Sequence, residues 1–223
     1  MWPRTLLPKK KKLRLCIDRT ELSFGIHQVK IHMVVVGYRD ISVPLYWEML
    51  DNNSGNSFVK GEVICWVFVL IGTEQIGLVI GDREFFAHQC FKYLKDRGIR
   101  FVMCLPNLHK IHCLGDRIQT VTTLVLTENK PLSLCNCLVD GVVGQVWTML
   151  LEDGDYLFLF GTVEVMFMRV LYRKRWSIEE AAAAVCFQNM KKIGFNLEDT
   201  HLQDNNKLKK ASGSSKYSLG FLC

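Results

Sequence analysis

Three acidic residues stand at positions suited to binding metal ions. Asp18 follows segment 13–17, in which polar and apolar residues alternate, Asp82 follows the apolar run 76–80, and Glu179 lies on a later helix-like segment. Carboxylates suit hard ions such as Mg²⁺ or Mn²⁺, and two such ions about 3.5–4 Å apart activate an attacking hydroxyl and stabilise a leaving oxygen. The chemistry predicted for this triad is metal-dependent cleavage and transfer of phosphodiester bonds.

The segment around Glu179 adds a polar helix face. Tyr172, Arg175 and Glu179 are spaced i, i+3 and i+7, so they fall within about 60° of one another on an α-helix. Arg175 and Tyr172 are predicted to hold a phosphate, and Trp176 to stack on a base. Taken singly, an acid after a strand more often caps a turn. The coincidence of three acids is what favours a catalytic site.

The elements that position the acids follow an α/β pattern. Strands are predicted at 13–17, 27–38 and 41–47, as an antiparallel meander whose first strand ends at Asp18. Segment 63–71 has strand-like composition, but the order of elements favours a helix. A strand at 76–80, a helix at 85–96 closed by Gly98, and a strand at 100–105 complete the series.

The second half of the chain changes character. Short apolar stretches at 118–126, 132–138, 144–151 and 156–160 predict a mostly β insertion, and 172–192 predicts a helix. The expected organisation is a basic lead-in at 1–12, the first part of a catalytic domain at 13–106, the insertion at 107–168, the catalytic helix and end of the core at 169–202, and a flexible tail at 203–223.

Composition bounds the class of protein. The chain has 223 residues, 49% of them hydrophobic and 22% charged, which is typical of a folded domain. Its net charge of +6 favours a polyanionic partner. The longest apolar run, 63–71, is too short to span a bilayer, so no membrane association is expected. Nine cysteines, an odd number, with no signal peptide predict reduced thiols in the cytoplasm.

These residues resemble the DDE transposases of the type-four insertion-sequence family, which carry the signature Tyr-x2-Arg-x3-Glu-x6-Lys on the helix of the last acid. Segment 172–179 matches its first three positions, and segments 16–20 and 79–85 resemble the blocks around the two Asp residues. The likeness extends from about residue 13 to about residue 202. It implies a ribonuclease H-like mixed sheet flanked by helices, with a β-rich insertion before the last catalytic helix.

The resemblance also implies partners and cofactors. They are two Mg²⁺ or Mn²⁺ ions held by Asp18, Asp82 and Glu179, and double-stranded DNA at transposon inverted repeats, bound by a homodimer associated with the nucleoid. Members usually carry a DNA-binding region before the first catalytic strand, which here begins near residue 13. A truncated copy is therefore expected.

The family's lysine is displaced. Its position, seven residues after Glu179, holds Cys186, and Lys191 comes five residues later. In a continuous helix five residues turn a side chain by about 140°. The sequence therefore predicts a partly degenerate copy that keeps the fold and has little or no activity.

Three alternatives remain open. The first is a two-metal nuclease on the same fold, and the second is an inactive relic that only binds DNA. The third is a zinc site, for which no paired Cys-x2-Cys spacing is present; its candidate ligands are His109, His112, Cys104, Cys113, Cys135 and Cys137.

Overall fold

The computed structural model describes residues 12–24, 27–38, 41–50, 67–68, 71–83, 88–113, 117–128, 132–151 and 154–182. Only the backbone is described at 20–24, 27–29, 31, 38, 41–44, 47–50, 88–89, 117, 125–128 and 175–182. The chain divides into two compact units, one formed by residues 1–76 and 176–223 and the other by residues 77–175.

The first unit contains an antiparallel meander. Strand β1 (Leu13–Phe24) pairs with β2 (His27–Tyr38), which pairs with β3 (Ile41–Leu50). The register of β2 and β3 shifts where Val35 faces Pro44. Proline has no N–H to donate to the ladder, so a register shift is a site in a sheet where it is tolerated. The predicted meander is confirmed, although β3 runs to Leu50 rather than to residue 47.

The predicted end of the first strand at Asp18 is wrong. β1 continues to Phe24, and Asp18 is paired with Met33 in the middle of the ladder. The physical reason is that the hairpin with β2 carries backbone hydrogen bonds up to its turn, whatever side chains the strand bears. Burial does change at the expected place, because Ile17 is buried while Asp18 and Arg19 are only partly so.

The ambiguous segment before the second acid is helical where the structure describes it. Val67, Phe68 and Ile71 have helical backbone, and the N–H of Gly72 donates to the carbonyl of Phe68 at 2.9 Å. A single turn of 3₁₀ helix, Thr73–Gln75, then leads into the next strand. The preference for a helix over a strand is confirmed at these residues.

The second acid lies within a parallel β-α-β unit, directly after its first strand. Strand β4 (Ile76–Gly81) lies parallel to β5 (Arg100–Cys104), and helix α1 (His88–Asp96) lies between them in sequence. Gly98 ends the helix with φ +64°, while the N–H of Ile99 donates to the carbonyl of Leu94. A glycine in this left-handed conformation is a common helix terminator, and the predicted cap is confirmed.

Five further strands follow β5 along the chain: β6 (Lys110–Cys113), β7 (Arg117–Thr120), β8 (Ser133–Val139), β9 (Val142–Leu150) and β10 (Tyr156–Gly161). They extend the sheet beyond β5 in the order β4-β5-β10-β9-β8-β6-β7. Apart from the parallel pair β4 and β5, neighbours are antiparallel. Asp140 and Gly141, with φ of +47° and +76°, form the two-residue turn between β8 and β9, as Asp-Gly favours.

The apolar stretch 118–126 was expected to be β structure, and most of it is helix. Strand β7 ends at Thr120, and helix α2 covers Val121–Glu128. The Thr120 hydroxyl accepts the N–H of Thr123 at 3.2 Å and so caps the helix start. Threonine at the N-cap was the signal in the sequence; hydrophobicity alone does not separate a short apolar helix from a strand.

Helices cover both faces of this sheet. On one face Phe91 of α1 stacks on Phe101 at 5.1 Å between ring centroids. On the other, helix α3 (Val165–Ala182) places Met168 and Tyr172 in the core. Their buried partners are Leu78, Ile80, Val102, Cys104, Leu157, Leu159 and Val163. The mixed α/β sheet with flanking helices is confirmed for this unit.

The last helix begins earlier than expected. It starts at Val165 rather than at residue 172, and residues 183–192 of the predicted helix lie outside the described residues. The proposed boundary between 168 and 169 therefore falls within α3, and the domain division remains a prediction. Among the helices of the described ranges, none is long and apolar enough to cross a membrane.

Candidate active site

Asp82 directly follows β4. All six residues of that strand are buried, whereas Asp82 is partly exposed. Its Oδ1 accepts the backbone N–H of Arg83 at 2.7 Å. The predicted placement of an acid at the end of a buried strand is thus confirmed. The carboxylate lies at the boundary between the buried core and the surface.

Tyr172 connects α3 to this carboxylate. Its side chain is 3% exposed and belongs to the core cluster that includes Ile80 and Met168. The hydroxyl lies 3.5 Å from Oδ1 of Asp82, which is longer than the usual range of about 2.5–3.0 Å for an O–H···O hydrogen bond. Tyr172 therefore brings the core-facing side of α3 next to the end of β4. Its predicted contact with a DNA phosphate stays a prediction.

Asp18 belongs to the other unit. It lies on β1, one residue after the buried Ile17, and its side chain is partly buried. The regular strand backbone thus fixes the Cα of Asp18. Its carboxylate is not completely buried. Such a residue has the donor chemistry and the rigidity that a metal ligand needs.

The remaining candidates on the last helix are placed by their backbone. Arg175, Trp176 and Glu179 lie within α3, and their side chains lie outside the described residues. The helical backbone confirms the periodicity on which the shared face of Tyr172, Arg175 and Glu179 depends. Glu179 stands about 10.5 Å along the helix axis from Tyr172. Lys191 lies outside the described residues.

Carboxylate oxygens are the donors that Mg²⁺ and Mn²⁺ prefer, so the chemistry of Asp18, Asp82 and Glu179 fits such ions. Within the ranges whose side chains are described, no group of three or more His, Cys, Asp or Glu is arranged to hold a metal ion. The side chain of Glu179 is outside those ranges. The metal site is accordingly a proposal based on donor chemistry.

The candidate zinc ligands are distributed over separate places. Cys113 and Cys137 have their Sγ atoms 2.6 Å apart, while Nε2 of His109 lies 3.3 Å from Oδ1 of Asp140. Cys104 is fully buried in the core. The cysteine pair is a feature that the spacing of residues did not indicate, because β6 and β8 are brought together only by the fold.

A family model, the transposase DDE domain, matches residues 61–213. This is more than half of the chain. The chain belongs to the transposase DDE domain family. The matched range includes Asp82 and all of α3, and it begins after Asp18.

Two solved structures show partial likeness to this DDE domain. One is the piggyBac transposase synaptic complex with hairpin DNA, at 10% identity and a TM-score of 0.46, covering 94% of this chain and 47% of that one. The chain thus spans about half the length of that transposase. The other is endonuclease V from Bacillus subtilis, at 9% identity and a TM-score of 0.34, covering 80% of this chain and 77% of that one. No curated protein matches the chain.

Proposed function

We propose that this DDE domain performs metal-dependent DNA strand cleavage and strand transfer at transposon ends. The family match supports the class of reaction. The observation that carries the proposal is the 3.5 Å approach of the Tyr172 hydroxyl to Asp82. That approach supports the proposal because it brings Tyr172, a residue of α3, next to the strand end that bears the second acid, and Glu179 lies further along the same helix.

In this proposal Asp18, Asp82 and Glu179 hold two Mg²⁺ or Mn²⁺ ions. When bound, the ions supply the positive charge that activates the attacking hydroxyl and stabilises the leaving oxygen. The protein's own contribution is rigidity. Asp18 lies in a hairpin ladder, and Asp82 follows a fully buried parallel strand. A carboxylate held in this way is already oriented before substrate binds.

The part of α3 that follows Tyr172 is proposed to contact DNA. Arg175 is assigned to a phosphate, since its guanidinium forms paired hydrogen bonds to phosphate oxygens. Trp176 is assigned to a splayed base. Arg173 and Lys174, which precede them, are exposed and add positive charge near the backbone of the DNA. Lys191 is displaced from its family position, and it is proposed to contribute weakly or not at all.

The proposed partner is double-stranded DNA at the inverted repeats, bound by two subunits and associated with the nucleoid in the cytoplasm. The net charge of +6 supports a polyanionic partner. Assignment to the type-four insertion-sequence family and to the ribonuclease H-like fold rests on the signature at 172–179, and on the meander followed by a parallel β-α-β unit.

The test combines cleavage with metal binding. The whole chain is incubated with Mg²⁺ and supercoiled plasmids that carry, or lack, the DNA flanking its coding sequence, and Mn²⁺ binding is titrated by calorimetry in parallel. Nicking confined to the flanking DNA supports the transposase. Nicking of both plasmids favours a two-metal nuclease.

The same experiment also distinguishes an inactive relic that only binds DNA. This alternative predicts no Mn²⁺ binding, no nicking, and DNA binding that falls steeply with salt and ignores sequence. Because the lysine position is disrupted, we expect turnover to be low even if Mn²⁺ binds.

A further inference from the structure

Two cysteines face each other across neighbouring strands far from Asp82 in sequence. Cys113 is the last residue of β6, and Cys137 lies in β8. These strands are antiparallel, and His112 is paired with Leu138, so the register sets Cys113 opposite Cys137. Directly opposed residues have Cβ atoms about 4.5–5.5 Å apart. That spacing borders on the usual 3.5–4.5 Å of a disulfide.

The sulfur atoms are closer than a shared metal ion would allow. Their separation is 2.6 Å, which is inside the ordinary contact distance of two unbonded sulfurs. Two thiolates on one tetrahedral zinc, each about 2.3 Å from the metal, would be roughly 3.8 Å apart. The pair is therefore arranged for a direct sulfur–sulfur bond rather than for a metal bridge.

We propose that Cys113 and Cys137 form a reversible cross-strand disulfide. With a low-molecular-weight disulfide such as oxidised glutathione as oxidant, the Cys113 thiolate attacks one sulfur and releases one thiol. The Cys137 thiolate then displaces the second thiol from the mixed disulfide, with its proton passing to solvent. One small disulfide is reduced to two thiols, and two protein thiols become one disulfide.

The surroundings of the two thiols indicate which of them reacts first with the external disulfide. Hydrogen bonding from Cys137 lowers the pKa of Cys113, although partial burial opposes the shift. The same hydrogen bond, together with burial, raises the pKa of Cys137. Cys113 is also partly exposed whereas Cys137 is buried. The accessible thiol with more thiolate character reacts first with an external disulfide, and the buried thiol resolves it.

The bond would close a loop that contains β7 and α2. It would fasten β6, which has β7 on its other side, to β8 within the same sheet. A covalent link across this loop limits the unfolded chain and resists local opening of the two strands. The proposal concerns the stability of this part of the sheet, and it stands whether or not the domain cuts DNA.

The experiment maps disulfides in the full chain. The protein is reduced, equilibrated with excess oxidised glutathione, alkylated under denaturing conditions and digested with trypsin. The expected result is a link between peptide 111–117, which holds Cys113, and the peptide that holds both Cys135 and Cys137. In wild type the remaining seven of the nine cysteines are alkylated or glutathionylated.

Matched variants identify the partner. Cys135 is exposed and lies two residues before Cys137, so Cys135→Ser should keep the link while Cys137→Ser should abolish it. Oxidised wild type should also unfold roughly 5–10 °C above the reduced protein, and Cys113→Ser should lose this difference. Two outcomes would overturn the proposal: Cys113 and Cys137 both alkylated after oxidation of the folded wild type, or a link that persists in Cys137→Ser and disappears in Cys135→Ser.

Discussion

The hydroxyl of Tyr172 lies 3.5 Å from Oδ1 of Asp82, and it joins a buried face of α3 to the end of β4. The ring is fixed in the core beside Ile80 and Met168. Through this contact, the position of the Asp82 carboxylate depends on how α3 packs against the sheet. Tyr172 is therefore a positioning residue for the proposed acid, and its effects on folding and on chemistry are separable.

Tyr172→Phe removes the hydroxyl and keeps the ring. Since the hydrogen bond is long, we expect a loss of at most about 1 kcal/mol in the free energy of unfolding. Loss of an outer-shell partner typically costs 10–100-fold in metal affinity or activity, and we expect the lower end, about tenfold, in Mn²⁺ affinity. Urea unfolding and Mn²⁺ calorimetry measure the two effects.

Tyr172→Ala is the comparison that isolates the packing. It leaves a cavity among the core side chains and should cost about 3–5 kcal/mol. Equal Mn²⁺ affinity in wild type and Tyr172→Phe would refute the positioning role, whatever the stability data show.

Asp82→Asn tests the second acid directly. The amide oxygen still accepts the N–H of Arg83, so the turn after β4 should persist and stability should change by less than about 1 kcal/mol. Mn²⁺ binding and any Mg²⁺-dependent nicking should fall by more than about 100-fold, because the variant removes a proposed metal ligand rather than a supporting group.

Asp96→Asn, at the exposed end of α1, is the matched control for Asp82→Asn. It makes the same change of charge away from the proposed site. A similar loss of Mn²⁺ binding in both variants would indicate a general electrostatic effect and would remove Asp82 from the mechanism.

The elements that were predictable from sequence are those whose pattern of apolar residues agrees with a neighbouring turn or cap signal. The meander, β4 with Asp82 at its end, and α1 with Gly98 each combine an apolar period with a turn or cap signal. The end of β1 was misplaced because a hairpin ladder is held by backbone pairing with β2, which continues past Asp18. Sequence patterns report burial better than they report the limits of hydrogen bonding.

Contacts between distant segments were the part that sequence could not supply. Cys113 and Cys137 are adjacent only because β6 lies against β8. The burial of Tyr172 was missed for a similar reason. Its spacing with Arg175 marked a polar face, whereas a tyrosine has an apolar ring that packs in the core and a hydroxyl that reaches a polar partner.

The start of α3 depends on a side chain from another strand. Oε1 of Gln145, on β9, accepts the backbone N–H of Val165 at 2.5 Å. The first N–H groups of a helix have no partner within the helix, so Gln145→Ala should lower the free energy of unfolding by about 1 kcal/mol. Chemical denaturation and amide exchange at 165–168 are the measurements.

Gln145→Glu supplies the contrasting variant. It keeps the acceptor oxygen and places a negative charge near the positive end of the helix, which is favourable by roughly 0.3–1 kcal/mol. Its stability should equal or exceed that of wild type. If Gln145→Glu destabilises the protein as much as Gln145→Ala does, the proposed capping role is wrong.

Gly161 marks a close approach of β10 to β5. A Cβ at this position would press against the carbonyl oxygen of Phe101 and lie 3.0 Å from Cε of Met168. The methionine can move, but the carbonyl is held by the N–H of Thr162 at 3.1 Å, and the N–H of Phe101 donates to the Thr162 hydroxyl. An added Cβ could therefore be accommodated only by moving hydrogen-bonded backbone of β5 or β10.

Gly161→Ala should destabilise the protein by about 2–3 kcal/mol, as overpacking of a close-packed core does. Gly154→Ala is the matched comparison. Within the described part of the chain no atom lies within 4 Å of its added Cβ, while its φ of +87° is unfavourable, a strain of roughly 1–2 kcal/mol. The two variants are compared by urea unfolding. A smaller loss for Gly161→Ala than for Gly154→Ala would mean that β10 and β5 can separate, which would in turn weaken the placement of Met168 and Tyr172 against this face of the sheet.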